Sequence, residues 1–139
     1  MADTLTPQER SERMRRIRGK DTRPEMAIRK LLFAAGYRYR VQYRGLPGRP
    51  DIVFPGRKAA IFVHGCFWHQ HPGCKVAHIP KSREDYWISK FNKNIERDKH
   101  NTAAIEEKGW RILVIWECEA KQIDALAPTL FDFLGPVKL

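Results

Sequence analysis

Two short apolar runs separated by one long helical segment constrain the fold of this chain most. The runs cover residues 59–63 and 111–116, and the second is continuously apolar, which predicts a strand buried on both faces. The helical segment covers residues 82–108, and its apolar stripe comprises Ile88, Phe91, Ile95, Thr102 and Ile105. A strand, a helix and a second strand form a crossover, so we expect the two strands to be parallel.

A hairpin is predicted just before the first of these strands. The turn residues Pro55-Gly56-Arg57-Lys58 separate residues 51–54 from residues 59–63. If Phe54 faces Ala59, then Asp51 faces Phe62 to within one residue. A length of 139 residues fits one domain. The sequence therefore predicts a single α/β domain with a mixed sheet flanked by helices.

Capping patterns and periodicity predict the secondary structure of the segments on either side of this region. Thr22, Pro24 and Glu25 form a capping pattern for a helix that Gly36 ends. Residues 37–43 alternate tyrosine or valine with polar residues, which predicts a half-buried strand. Beyond Lys121 we expect one or two weak helices interrupted at Pro128.

The three cysteines of the chain converge in this topology. Cys66 and Cys74 flank His71 after the first crossover strand, and Cys118 follows the second strand. The carboxyl ends of parallel neighbouring strands lie side by side, so Cys118 can reach the other two. Three thiolates and one imidazole are a structural zinc set, although free cysteines are also often simple core residues. His69 could replace His71 as the ligand.

Charge points to a polyanionic partner. The net charge is +10, and residues 1–44 carry +7 of it. Lysine and arginine displace counterions from a phosphate backbone, so nucleic acid is favoured over a charge that serves only solubility. Residues 1–20 are predicted to form a basic arm with a short helix. Its arginines are Arg10, Arg13, Arg15, Arg16 and Arg18, and its one sizeable apolar side chain before Ile17 is Met14.

Localisation follows from what the sequence lacks. No apolar run approaches the ~20 residues needed to cross a bilayer, and the N-terminus has no basic and apolar export signal. We expect a cytoplasmic protein without membrane contact. In a reducing compartment, clustered cysteines favour metal over disulfides.

Candidate catalytic residues surround the predicted sheet edge. Pro50-Asp51 before an apolar strand is where restriction-type nucleases carry their first acidic metal ligand, and this motif alone is weak. Such enzymes follow it with an acidic residue, a spacer and lysine, but Phe62-Val63-His64 stands there instead. Mg²⁺ accepts carbonyl and water oxygens in place of the second carboxylate. His64 and His69 would lie beside Asp51 as candidate proton carriers.

The whole pattern resembles the very short patch repair (Vsr) DNA mismatch endonucleases. The resemblance covers about residues 8–120, and its most specific motif is His64-Gly65-Cys66-Phe67-Trp68-His69. Further matching segments are residues 14–25, Pro50-Asp51, residues 93–98 and Trp116-Glu117-Cys118. The resemblance implies a restriction-endonuclease-like fold over residues 21–139, with a structural zinc. It also implies Mg²⁺-dependent nicking on the 5′ side of the thymine in T:G mismatches left by 5-methylcytosine deamination.

Roles carry over to matching positions. Asp51 matches the metal-binding aspartate, with the Val63 carbonyl as a further Mg²⁺ ligand although the family has threonine there. His69 matches the catalytic histidine, and His64 and Glu25 hold supporting catalytic positions. The matched zinc ligands are Cys66, His71, Cys74 and Cys118. The expected DNA contacts are Met14, Arg15, Arg18, Phe67, Trp68 and Trp87, of which the aromatic residues intercalate beside the mismatch.

Two alternative functions remain at this point. His78, Asn92 and His100 have roughly the spacing of a ββα-metal nuclease, but no hairpin immediately precedes their helix. A zinc-stabilised DNA-binding module without catalysis is the other rival, supported by the absent second carboxylate. We expect a monomer acting on double-stranded DNA, with mismatch-repair proteins as candidate partners.

Overall fold

The computed structural model describes residues 22–75 and 77–137. The expected basic arm of residues 1–20, including Met14, Arg15 and Arg18, lies outside the described residues. The helices are α1 (Arg23–Ala34), α2 (Glu84–Glu107), α3 (Glu117–Ala120) and α4 (Ile123–Leu134). The strands are β1 (Ile52–Phe54), β2 (Ala59–His64) and β3 (Arg111–Trp116), and a 3₁₀ turn covers Pro55–Arg57.

The described strands form one mixed sheet in the order β1-β2-β3. β1 and β2 are an antiparallel hairpin in which Phe54 faces Ala59, so the predicted register is confirmed. Lys58 closes the turn in the left-handed region at φ 51°. β2 and β3 are parallel, with His64 beside Trp116. The crossover through α2 is therefore confirmed, and with it the single α/β domain with a mixed sheet flanked by helices.

Helices cover both faces of the sheet. α1 and α4 pack on one face, where the buried side chains include Ile28, Leu32, Ile61 and Leu130. The other face carries Val53, Ala60 and Phe62 with Ile105 of α2. None of the described helices is long and apolar enough to cross a membrane.

Three details differ from the sequence expectations along the apolar segments. β3 is only half-buried apart from Ile115 because it is the edge of the described sheet, where one flank has no neighbouring strand. Ile88 is exposed, since the first turns of α2 extend past the sheet. Pro128 lies inside one continuous α4, where burial of the leucines around it outweighs the single lost hydrogen bond.

The predicted strand at residues 37–43 is wrong. Its alternation of burial is real, because Tyr37 is buried while Arg38 and Arg40 are exposed. Only one bridge forms, between Arg40 and Val53. Gln42 then turns the chain away at φ 54°, a conformation that no strand residue adopts. The segment therefore packs beside β1 without extending the ladder.

Candidate active site and metal centre

The cysteines and His71 meet at the carboxyl ends of the two parallel strands. Cys66 follows β2 by two residues, and Cys118 follows β3 by two residues. A turn between them is held by the His71 N–H, which donates to the Cys66 carbonyl at 3.0 Å. The ligand atoms of Cys66, His71, Cys74 and Cys118 all lie within 4.8 Å of one another. The predicted convergence of Cys118 on the Cys66 cluster is confirmed.

The spacing within this cluster fits a tetrahedral metal ion. His71 Nδ1 lies 3.4 Å from Cys118 Sγ and 3.7 Å from Cys66 Sγ. Bond lengths of about 2.3 Å to sulfur and about 2.0 Å to nitrogen place tetrahedral ligands roughly 3.5 Å apart. The pKa of the Cys66 thiol is raised to about 12, chiefly by burial and also by the neighbouring Cys118 and Cys74 thiols, while a backbone hydrogen bond of Cys118 acts in the opposite direction. A bound cation would supply the positive charge that thiolates need here.

Of the two candidate histidines, His71 is the one that lies with the three thiols. The His71 ring stacks on Trp116 at 4.3 Å and 12°, which fixes its orientation toward the thiols. His69 belongs to a second group, with His64 and Asp98. Its Nδ1 donates a hydrogen bond to Asp98 Oδ2 at 2.5 Å.

The ligand atoms of this second group also lie close together, but its ring geometry is poorly suited to a shared metal ion. The His64 and His69 rings stack at 3.9 Å and 5°, so their nitrogen lone pairs point in parallel and cannot converge on one ion. The pKa of His64 is lowered to about 4, chiefly by burial and also by the neighbouring His69, while Asp98 acts in the opposite direction. His64 is therefore neutral near pH 7. The side chains of His69 and Asp98 are 23% and 26% exposed, so water reaches both.

Asp51 is paired with a second carboxylate that comes from a helix instead of a strand. The pKa of Asp51 is raised to about 7, chiefly by burial and further by a hydrogen bond with Glu25, while the Val63 N–H that donates to it at 2.7 Å acts in the opposite direction. Glu25 is buried on α1 and forms an ion pair with Arg29, one turn later. Its backbone N–H donates at 3.4 Å to Thr22 Oγ1, and Thr22 thereby caps the helix. Two carboxyls so close and so buried favour a cation between them.

One cavity of about 820 Å³ joins these groups. Its wall includes the sequence-predicted Asp51, Val63, His64 and His69, and Asp98 lies beside them. Glu25 lines a second cavity of about 760 Å³, which shares Gly48, Arg49 and Asp51 with the first. The structure thus brings the predicted catalytic residues to one edge of the sheet.

The three predicted intercalating residues form a cluster beside the cavity. Phe67 lies 5.1 Å from Trp68 and 5.6 Å from Trp87, measured between ring centroids. All three are half-buried. Only Phe67 and Trp68 line the main cavity. Each ring therefore packs on its neighbours while part of it stays accessible.

Sequence reasoning missed Asp98 and Asn94. Asn94 is buried on α2, and its Nδ2 donates to the Trp68 carbonyl at 3.3 Å. Both residues lie on the same face of α2 as the buried Phe91 and Ile105. A polar interruption of that apolar stripe was the available signal.

The sequence of this chain matches the model of a known protein family. The model for the DNA mismatch endonuclease Vsr matches residues 2–75. The chain belongs to the Vsr family of DNA mismatch endonucleases. It is 48% identical over 136 residues to a type II nicking enzyme, V.XorIIP, of Xanthomonas oryzae pv. oryzae, covering 98% of this chain and 99% of that one. It is 43% identical over 118 residues to the DNA mismatch endonuclease Vsr of Escherichia coli, covering 85% and 75% respectively.

Membership of this family makes the chain a DNA endonuclease, and the two rival interpretations fail. A DNA-binding module without catalysis is excluded because the relatives are endonucleases. The ββα-metal alternative finds no support, because neither His78 nor His100 belongs to a candidate metal group among the described residues. Asn92 and His100 both point to solvent from α2.

Proposed function

We propose that this Vsr-family chain nicks one strand of duplex DNA on the 5′ side of the thymine in a T:G mismatch, with Mg²⁺ as cofactor. The observation that carries the proposal is the common cavity beside the aromatic cluster. Its wall holds a carboxylate suited to a metal, Asp51, and a histidine paired with a carboxylate, His69. A phosphodiester hydrolase needs both kinds of group.

Asp51 and the backbone carbonyl of Val63 are the proposed Mg²⁺ ligands, with Glu25 beside them. The fit rests on the raised pKa of Asp51, because two buried carboxyls ionise together only next to a cation. When bound, Mg²⁺ polarises a phosphoryl oxygen and offsets the charge that develops there. Arg29 compensates the Glu25 carboxylate from the helix side. The charge on Asp51 thus remains for the metal.

His69 is the proposed proton acceptor for the attacking water. The Asp98 carboxylate accepts its Nδ1–H, which leaves Nε2 as the basic nitrogen and stabilises the imidazolium once a proton arrives. The stacked, neutral His64 fixes the plane of this ring and adds no competing charge. Glu25 and His64 thereby assist without contacting the proton that moves.

Mismatch selection is assigned to the aromatic cluster of Phe67, Trp68 and Trp87. A mispaired base step costs less to unstack than a paired one, so insertion of a ring there favours the mismatch. The cluster packs against itself and remains half-buried. The rings are therefore held before DNA arrives.

The remaining assignments complete the proposal. A structural zinc bound by Cys66, His71, Cys74 and Cys118 ties β2 to β3. The nuclease domain of residues 21–139 has a restriction-endonuclease-like fold. The arm of residues 1–20 contacts DNA through Met14, Arg15 and Arg18. The protein acts as a monomer, and mismatch-repair proteins are candidate partners.

The test is strand-specific nicking of matched duplexes that differ in one base. We expect the purified protein with Mg²⁺ to nick the thymine strand of a T:G duplex and to leave the C:G duplex intact. Asp51→Asn should lose this activity by roughly a thousandfold or more, since several kcal/mol of charge stabilisation are removed. Equal cleavage of both duplexes would refute mismatch selection, and full activity of Asp51→Asn would refute the metal assignment.

A further inference from the structure

Arg49 occupies the position between the two cavities that meet at Asp51. It lines the cavity of about 820 Å³ that holds His64, His69 and Asp98. It also lines the neighbouring cavity of about 760 Å³ that holds Glu25 and Arg29. Asp51 belongs to both cavities and follows two residues later in the chain. Arg49 thus lies where the two cavities adjoin, close in the chain to Asp51.

The backbone at Arg49 is strained. Its φ is 50°, in the left-handed region that only a few per cent of residues other than glycine adopt. It precedes Pro50, whose ring normally confines the preceding residue to extended conformations. Gly48, at φ 77°, approaches α2 so closely that a Cβ there would lie 2.9 Å from Asn101 Cβ. With Pro50 fully buried on the other side, the loop is anchored at both ends.

Strain at a fixed position beside a reactive site calls for a chemical reason. No lysine lies at the corresponding position of this site, because Phe62-Val63-His64 stands where restriction-type nucleases carry an acidic residue, a spacer and a lysine. Two cationic side chains line the main cavity, Arg49 and Arg97. Arg97 donates to Asn94 Oδ1 at 2.9 Å. Within the described ranges Arg49 makes no hydrogen bond or ion pair, so its donors remain for the substrate.

We propose that Arg49 is a catalytic residue that donates to a nonbridging oxygen of the scissile phosphate, in the place of the missing lysine. The proposal deepens the nuclease mechanism above and rests on it. In the step, the water oxygen bonds to phosphorus, His69 takes the water proton and one P–O ester bond breaks. The leaving oxygen takes a proton from solvent. The negative charge that accumulates on the nonbridging oxygens meets the guanidinium.

The test uses glycine as the decisive substitution. Arg49→Gly removes the cation and also relieves the positive φ, so a loss of activity cannot be attributed to new strain. Arg49→Lys keeps a charge at the same position. Arg44→Gly is the matched control, because Arg44 is an exposed loop arginine that lines only the second cavity. Each full-length variant is compared with wild type on a T:G duplex for affinity, for single-turnover nicking at saturating protein and for Tm.

We expect Arg49→Gly to nick about 100-fold more slowly than wild type at saturation, the cost of one donor to a developing oxyanion. Its affinity for the duplex should match that of Arg44→Gly, and its Tm should equal or exceed that of wild type. Arg49→Lys should recover at least tenfold of the lost rate. Guanidinium ion added to Arg49→Gly should also raise its rate, but not that of Arg44→Gly.

Three results would overturn the proposal. The first is that Arg49→Gly nicks within a few-fold of Arg44→Gly at saturation. The second is that Arg49→Gly loses only affinity for the duplex. The third is that the Tm of Arg49→Gly falls together with its activity. A wild-type protein that nicks another duplex instead would refute the proposed mismatch preference and leave the role of Arg49 to be measured on that duplex. The two failures are therefore distinguishable.

Discussion

Two groups of metal-type ligands lie a few residues apart in this molecule, and their geometries differ. Cys66, His71, Cys74 and Cys118 surround one point with three soft sulfur atoms and one nitrogen. The ligand atoms of His64, His69 and Asp98 likewise lie within 4.8 Å of one another. In that second group, however, the rings are stacked in parallel and the carboxylate is already hydrogen-bonded to His69. Proximity of ligand atoms does not make a metal site, because the lone pairs must also converge.

The difference follows from how the chain leaves β2. His64 is the last residue of the strand and Cys66 lies two residues beyond it, after a turn at Gly65. The turn directs His64 and His69 toward α2, and it directs Cys66 and His71 toward the end of β3. One short segment therefore contributes to the proposed zinc site on one side and to the proposed catalytic group on the other.

The largest expected effect comes from the thiol group. Cys118→Ser removes the ligand that joins the end of β3 to the loop after β2, so we expect a loss of several kcal/mol of unfolding free energy. For a domain of this size that corresponds to a fall in Tm of roughly 10–20 °C, measured by circular dichroism. His69→Ala is the comparison, with a Tm within a few degrees of wild type. An unchanged Tm for Cys118→Ser would refute the structural role.

His69→Ala should give the next largest effect. Loss of the proton acceptor is expected to slow single-turnover nicking by about 10²–10⁴-fold while the tightly bound metal is retained. Added imidazole should restore part of the rate, since it can occupy the space of the lost ring. His100→Ala, an exposed histidine on α2, is the matched control and should nick like wild type.

Asp98→Asn tests the orientation of His69 and should cost less. The variant keeps the shape of the side chain but removes the charge-assisted hydrogen bond, worth roughly 1.5–3 kcal/mol, so nicking should fall about 10- to 100-fold. A nicking rate unaffected by Asp98→Asn would show that His69 acts without help from Asp98.

Besides its large expected effect on activity, Asp51→Asn should have the smallest of the expected effects on stability, and that effect is measured without divalent metal. Its pKa is about 7 in the folded state against an ordinary value of 3.8, so the folded state binds the extra proton between these values. Stability from this group is therefore lost as pH rises from about 4 to 7. Asp51→Asn should be more stable than wild type at pH 8 by about 1–3 kcal/mol in urea unfolding, and the difference should vanish near pH 4. A variant less stable than wild type at pH 8 would contradict the buried carboxyl pair.

The sequence predicts the fold of this chain where periodicity and topology agree. The hairpin register and the β2-α2-β3 crossover both follow from apolar spacing, and the crossover alone brings Cys118 to Cys66. The strand predicted at residues 37–43 fails because a positive φ at Gln42 carries no signal in an alternating pattern. Local periodicity reports which side chains are buried, but not whether a ladder continues.

The site is less predictable, since it depends on pairs that come from different elements. Glu25 meets Asp51 only through the packing of α1 against the sheet, and its capping position gives it an adequate role without that contact. Asp98 sits between charged residues on a helix that is largely exposed, and the sequence offers no reason to connect it with His69. Both partners become visible only when the helices are placed on the sheet.

The contrast between the two ligand groups is tested most directly by counting tightly bound metal. Wild type, His69→Ala/Asp98→Asn and Cys118→Ser would be dialysed against excess Mg²⁺ and analysed by mass spectrometry for transition metals. We predict one zinc ion per chain in wild type and in the double variant, and less than one in Cys118→Ser. Two ions in wild type and one in the double variant would contradict the assignment of the second group to proton transfer.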